Sequence, residues 1–360
     1  MVVSPIELVE RLRREYFSDP SLTHADLKVK QHGSTVTISG TILDRSSAEL
    51  LLGTLHQRLP LTNWRDETTP LVAGPDYSWA IARRAVLDVR DEPSNRAERV
   101  TQIIYGEPVE ILRLSGSWAF IRARDGYLGW THHDPLLTCT AEAARDWTAA
   151  ATHLVRQPLL ACYADRSGEP HQQVMLLPFG ARLNVDGSDG PYRRVRCPEG
   201  KVRWVPATGL LPLDELLHAG VDGLRTVVNW AQTLVGVPYL WGGKTPFGYD
   251  CSGLVQMLYG MLGIDLRRNA DQQAAEGHPV EFDELQFGDL IFLDTDAAEA
   301  ELHARRHHLE ITHVIFALDG PDFLHASRRY GGVVRGSFDP HSPWYVPTYR
   351  ERFVAARRYL

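Results

Sequence analysis

Cysteine is scarce in this 360-residue chain. The four present, Cys139, Cys162, Cys197 and Cys251, form no Cys-x-x-Cys pair and no metal-ligand spacing. A chain of this length needs no disulfide scaffold, so Cys139, Cys162 and Cys197 are expected as free, mostly buried thiols. A basic excess is lacking too. Formal net charge is −7, and no basic stripe with interleaved aromatics is present, which argues against a nucleic-acid partner held by phosphate contacts. No run reaches the roughly 18 apolar residues of a membrane span. Residues 1–17 are amphipathic and charged throughout, with no apolar signal region, so a cytoplasmic location is expected. What is there, 44% hydrophobic and 23% charged residues, suits a globular protein with a real core, and the length suggests two to four domains.

Taken in order, Ile6, Leu8, Val9, Leu12 and Tyr16 recur at helical spacing. Leu27/Val29 and Val36/Ile38 alternate as strands about a Gly33-Ser34 turn, Asp44 to Leu59 reads as a second helix, and a short strand is expected near 61–65. Beyond the linker candidate at 71–76, short strands with regular turns run from Trp79 to Leu137, the pattern of a small β-barrel. After a helix-like linker, 140–154, residues 155–212 repeat the theme. Val174-Met-Leu-Leu-Pro-Phe-Gly180 echoes Thr101-Gln-Ile-Ile-Tyr-Gly106, which predicts two tandem barrels. A helix over 221–235 with Asp222 as N-cap then leads to Tyr239-Leu-Trp-Gly-Gly-Lys-Thr-Pro-Phe-Gly-Tyr-Asp-Cys-Ser-Gly253. A helical layer followed by an antiparallel sheet predicts a C-terminal α+β domain.

The chemistry centres on Cys251, handed by a Gly/Pro-rich loop to the first turn of an apolar helix. Unpaired N–H groups and the helix dipole there favour a thiolate. A thiol nucleophile needs a base and a group that orients it. His313 and His325 lie on successive strands joined by the turn 319–321. A hairpin centred near Asp319 places them nearly opposite each other, one facing the thiol and one behind. A lone histidine on an apolar face is ordinarily a satisfied core residue; the hairpin symmetry argues against that here. The backbone N–H of Cys251 or Ser252 is a candidate oxyanion donor. His303, His307 and His308 approach His313 in sequence, and an i, i+4 histidine pair suits zinc. Their charged segment reads instead as an exposed insertion without further ligands, so no metal and no cofactor is expected.

Pro238-Tyr-x-Trp-Gly-Gly243, Asp250-Cys-Ser-Gly253, Gly288-Asp-Leu-Ile-Phe292, His313-Val and His325-Ala-Ser327 together resemble the NlpC family of papain-like cysteine peptidases. The resemblance implies hydrolysis of peptidoglycan (murein) peptides, with Cys251 as nucleophile, His313 as base and His325 as orienting residue. It implies that Tyr239 hydrogen-bonds near the nucleophile and that Asp250 and Ser252 help bind D-glutamate. The two barrels, with Gly126-Tyr-x-Gly-Trp130 in the first, resemble bacterial SH3-like domains. The combination is similar to the γ-D-glutamyl-L-diamino-acid endopeptidases. There an acid and a tyrosine of the first barrel, here Glu92 and Tyr127, and an acid after the catalytic helix bind the free N-terminus of L-alanine. Asn269 stands where that second acid is expected, with Asp271 nearby. Val36-Thr-Ile-Ser-Gly-Thr-Ile42 and its surroundings resemble a BON domain. The implied organisation is a BON-like unit (1–70), SH3-like barrels (78–139 and 153–213) and a peptidase domain (221–360). An amidase or acyltransferase would suit the same scaffold. A non-catalytic cell-wall-binding protein would suit the accessory units, but the intact Cys/His/His set argues against it.

Overall fold

The computed structural model describes residues 4–71, 78–216, 219–296 and 310–360. The His303/His307/His308 cluster lies outside them. Helix Pro5–Tyr16 opens with a capping box in which Ser4 and Glu7 satisfy each other's backbone N–H groups. It packs Leu8, Val9 and Leu12 on a three-stranded sheet with Val36, Ile38, Leu51 and Leu55. The order is helix, Ala25–His32, Thr35–Ile42, helix Arg45–Arg58, Asn63–Pro70, with the last strand parallel to Thr35–Ile42. Sequence patterning placed that last strand too early and too short, because Asp66, Glu67 and Thr68 carry no alternation of apolar residues. The unit is docked rather than tethered: Leu43 and Leu71 share a small core with Leu112 and Leu128 of the next sheet, and Arg122 bridges Asp44 (3.0 Å) and Glu110 (2.6 Å).

Two seven-stranded antiparallel sheets follow, each enclosing its own apolar core, as a single sheet does only by curling on itself. In the first the strands are Trp79–Ala82, Val86–Arg90, Arg99–Ile104, Pro108–Ser115, Trp118–Arg122, Leu128–His132 and Leu136–Cys139. Numbered within the roll, they lie side by side as 7-1-4-5-6-2-3. In the second, His153–Val155, Leu159–Tyr163, Gln173–Pro178, Arg182–Asp189, Tyr192–Arg196, Val202–Pro206 and Leu210–Pro212 take the same order read from the other edge. The weak sequence echo is therefore a repeat of topology. Helix Ala141–Ala149 joins the rolls, with Trp147 donating to the Gly106 carbonyl (2.9 Å). Cys162 and Cys197 are buried in the second core, Cys139 is half-buried, and all are free thiols.

In the C-terminal α+β part, helices Gly220–Ala231 and Cys251–Met261 cover one face of a six-stranded antiparallel sheet. Its order is His278–Val280, Phe353–Arg358, Leu290–Leu293, His313–Ala317, Asp322–Ser327, Gly332–Ser337. Leu290, Phe292, Val314, Phe316, Leu324 and Ala326 point to the helices. Ile291, Leu293, Ile315 and Phe323 point away, into a second core with Val346 and Tyr349. The expected N-cap at Asp222 is corrected. The helix starts at Gly220, with the cap at Ala219, three residues before Asp222, and Asp222 sits inside the first turn, where its charge still complements the dipole. Among the described residues no helix is long and apolar enough to cross a membrane.

Candidate active site

The loop before Cys251 is built on close approaches. Gly242 has φ 73°, and a Cβ there would lie 2.5 Å from the Arg99 carbonyl; a Cβ on Gly253 would lie 2.2 Å from the Gly243 carbonyl. Asp250 caps the helix, its Oδ1 accepting from the Gly253 N–H (2.7 Å) and its Oδ2 from the Gly242 N–H (2.8 Å). Both oxygens also accept from Arg268, which is 1% exposed, at 3.0 and 2.6 Å. Arg268 also donates to the Ser252 hydroxyl (2.9 Å) and to the Thr101 hydroxyl of the first roll (2.9 Å). One buried guanidinium thus fixes the cysteine's loop, its helix and the neighbouring roll together. Sequence reasoning passed over Arg268, since an arginine in a polar loop carries no signal of burial.

The backbone N–H groups of Ser252 and of Val314, the residue after His313, act on the Cys251 thiol in favour of its ionised form. His313 Nε2 and His325 Nδ1 are 2.8 Å apart. The hairpin is centred on Gly320, not Asp319: Phe316 pairs with Leu324 and Ala317 with Phe323. That shift makes the two histidines diagonal neighbours rather than opposite ones, and diagonal side chains on one face still meet. With Nε2 committed to His325, Nδ1 of His313 is the nitrogen left for the thiol. For Nδ1 to accept a proton, Nε2 must carry one and donate it to His325 Nδ1, so His325 bears its own proton on Nε2. That atom is buried without a hydrogen-bond partner, and the His325 ring is boxed by those of Phe323, Tyr330 and Tyr349, with centroids 5.3–6.2 Å from its own.

Burial sets the charge states. It pushes the Cys251 thiol up to about 11, with the Asp250 carboxylate adding to it. The Val314 and Ser252 N–H groups and Arg268 pull the other way without winning. Burial also pushes His313 down to about 4. Burial thus opposes the thiolate that the helix start favours, and it favours a neutral thiol and a neutral imidazole at rest. A stability consequence follows for His313. Between pH 6.5 and 4 the unfolded chain takes up a proton that the folded chain refuses, so stability present above pH 6.5 is lost as the pH falls. The loss is on the order of 3 kcal/mol. Urea denaturation at pH 7.5 and 4.5 should show a pH slope that is shallower in His313→Gln; an identical slope in both proteins would contradict it.

Cys251 and His313 lie in a cleft of about 600 Å³. Tyr239, Asp250, Ser252, Asn269 and Tyr127 are all brought to it, Tyr127 from the first roll. Glu92 is not. It is exposed within the 91–98 turn, and the first-roll acid reaching the cleft is Glu98, at the base of that turn beside the Arg90/Arg99 pairing. Asp271 lines the cleft close to Asn269. Tyr239 is kept protonated by burial and by the nearby Cys251 and Asp250. Tyr349, also missed from sequence, lines the cleft and abuts both histidine rings. Among the described residues no group of three or more His, Cys, Asp or Glu side chains is placed to hold a metal.

Residues 236–358 match the NlpC/P60 family, and residues 89–136 match the bacterial dipeptidyl-peptidase Sh3 domain. A protein of Bacillus cereus named gamma-D-glutamyl-L-lysine dipeptidyl-peptidase is 28% identical over 302 residues, 81% of this chain and 84% of that one. Dipeptidyl-peptidase 6 of Lysinibacillus sphaericus is 30% identical over 278 residues, 74% of this chain and 94% of that one. The crystal structure of an NlpC/P60 family protein from Bacillus cereus ATCC 10987 superposes with a TM-score of 0.65 at 23% identity. The match covers 79% of this chain and all of the other, and it shows a shared fold. Fold and site define a papain-like cysteine peptidase. The chain belongs to the NlpC/P60 family.

Proposed function

We propose that the protein hydrolyses the γ-D-glutamyl–diamino-acid bond of peptidoglycan-derived peptides bearing a free N-terminal L-alanine, with Cys251, His313 and His325 as its catalytic set. The observation that carries this reading is that Cys251 and His313 share one cleft, with His313 Nε2 bonded to His325 Nδ1, and that the cleft wall includes Tyr127 and Glu98 of the first roll. Cys251 Sγ attacks the γ-glutamyl carbonyl while His313 Nδ1 takes the thiol proton. The imidazolium passes that proton to the leaving amine, and His325 accepts the Nε2–H bond that holds the ring in place. The backbone N–H groups at the helix start and the protonated Tyr239 phenol are the donors available to the oxyanion. Water, deprotonated by His313, then cleaves the thioester and releases the dipeptide acid. Glu98 and Asp271 attract the substrate's ammonium, while Asn269 offers only a neutral oxygen.

Incubation with L-Ala-γ-D-Glu-diaminopimelate should yield L-Ala-D-Glu by mass spectrometry. No such product would sink the reading, and an N-acetylated substrate cut equally fast would remove the ammonium contact. His325→Ala should lower kcat by about 10²-fold or more with little change in KM, because it frees the base to turn rather than removing it. Wild-type kcat in that variant would end the orienting role.

A further inference from the structure

The N-terminal unit sends one loop to the end of the cleft. Ser21 O accepts from the Leu128 N–H of the first roll (2.7 Å). Gln272, on the helix Ala270–Ala274 and 8% exposed, gives its side-chain N–H groups to Asp19 Oδ2 (2.7 Å) and to the Ser21 hydroxyl (2.8 Å). Its other end, Oε1, accepts from the Asn269 backbone N–H (3.2 Å). Asp19 Oδ1 in turn accepts from Ser21 N (2.9 Å) and Oγ (2.6 Å), so the loop is ordered internally. The Leu128 bond thus fixes the residue next to Tyr127, and the Gln272 bond fixes the backbone of Asn269. Ser21, Leu128, Gln272 and Asn269 form a brace drawn from three parts of the chain, and two residues it holds in place, Tyr127 and Asn269, line the cleft.

From this brace we propose that the N-terminal unit is a specificity element of the active site: Ser21 and Asp19 act as positioning residues. Through Leu128 and Gln272 they hold the backbones that carry Tyr127 and Asn269 in the geometry that receives the substrate's terminal ammonium. Segments left to move would lose that geometry, and the unit's docking through Leu43, Leu71 and Asp44 supplies the rigidity the loop needs. The proposal rests on the reading that a free amine occupies this end. It also explains how a neutral Asn269 serves there. The cost of a missing charge at the amine is offset by pre-ordering its neutral partners, with the Asp19 carboxylate placed behind them.

The experiment compares wild type with Ser21→Ala, Asp19→Asn and Ser21→Thr, using full-length protein and L-Ala-γ-D-Glu-diaminopimelate with and without N-acetylation. In Ser21→Ala and Asp19→Asn, KM for the free peptide should rise about fivefold or more, kcat should stay within about twofold, and the preference for the free over the acetylated peptide should shrink. Ser21→Thr, which keeps the hydroxyl, should restore KM. Unchanged KM and unchanged preference in folded Ser21→Ala and Asp19→Asn would overturn the proposal. So would a fall in kcat that tracks a lowered melting temperature, since that is general loosening. A wild-type protein that cuts neither peptide would instead overturn the underlying functional reading.

Discussion

Cys251→Ala is expected to lower turnover of the tripeptide by at least about 10⁴-fold while leaving thermal stability near wild type. The two halves of that result have separate causes. The thiol is the atom that forms the acyl bond, and Cys251 carries the only thiol among the described cleft-lining residues. Folding gains little from it, because a small buried thiol next to a carboxylate packs little better than a methyl group. The neutral thiol–imidazole pair adds a second readout. Iodoacetamide should label Cys251 slowly at pH 7 and faster as the pH climbs toward 11, where the buried thiol ionises. A fast labelling rate that is already flat by pH 7 would show a preformed ion pair instead. Retained turnover in the alanine variant would move the nucleophile elsewhere.

Arg268→Met should destabilise the protein by about 3–5 kcal/mol, measured by urea denaturation, because it leaves the Asp250 carboxylate buried without its counter-charge. Asp250 would keep its two backbone donors, Gly242 and Gly253. The Thr101 and Ser252 hydroxyls would each lose a partner. Arg268→Met combined with Asp250→Asn should recover part of the loss, since the asparagine carries no charge to strand and can still cap the helix. By contrast, removing the exposed Arg225–Asp319 pair should change stability far less, because water already solvates both partners. A single-variant loss no larger than that of the exposed pair would show that Arg268 is not the linchpin its bonds describe.

These two residues mark how far the sequence could be read. Cys251, with its Gly-rich approach and Asp250 cap, announced itself because nucleophile, turn and cap are contiguous. The histidine pair was legible from strand spacing, and even a turn centre misplaced by one residue left both side chains on the same face. The rolls were legible from turn spacing, and their repeat was stronger in strand order than in residues. What stayed hidden depends on contacts between distant segments. Arg268 meets Thr101 across 167 positions, and Gln272 meets Asp19 across 253. Glu92 and Glu98 look alike in sequence, and only the hairpin pairing of Arg90 with Arg99 decides which carboxylate lies beside the cleft. The charge state of the thiol was hidden for another reason: helix position is local, but burial is a property of the whole domain.

The duplicated roll gives the nucleophile helix a clamp at each end. The first copy grips its start through Thr101 and Arg268, and the second grips its finish, about 16 Å away, where Arg182 donates to the Gly260 carbonyl (3.1 Å). The copies thereby differ: the first also lines the cleft, whereas no residue of the second is among its described lining. For protein engineering this makes the second copy a mounting point. Its hairpin turn at Gly190 is open to solvent, and a fluorophore or surface anchor attached at the exposed Ser188 beside it would report on or immobilise the enzyme away from the cleft, while Gly190 itself, at φ 55°, keeps the turn.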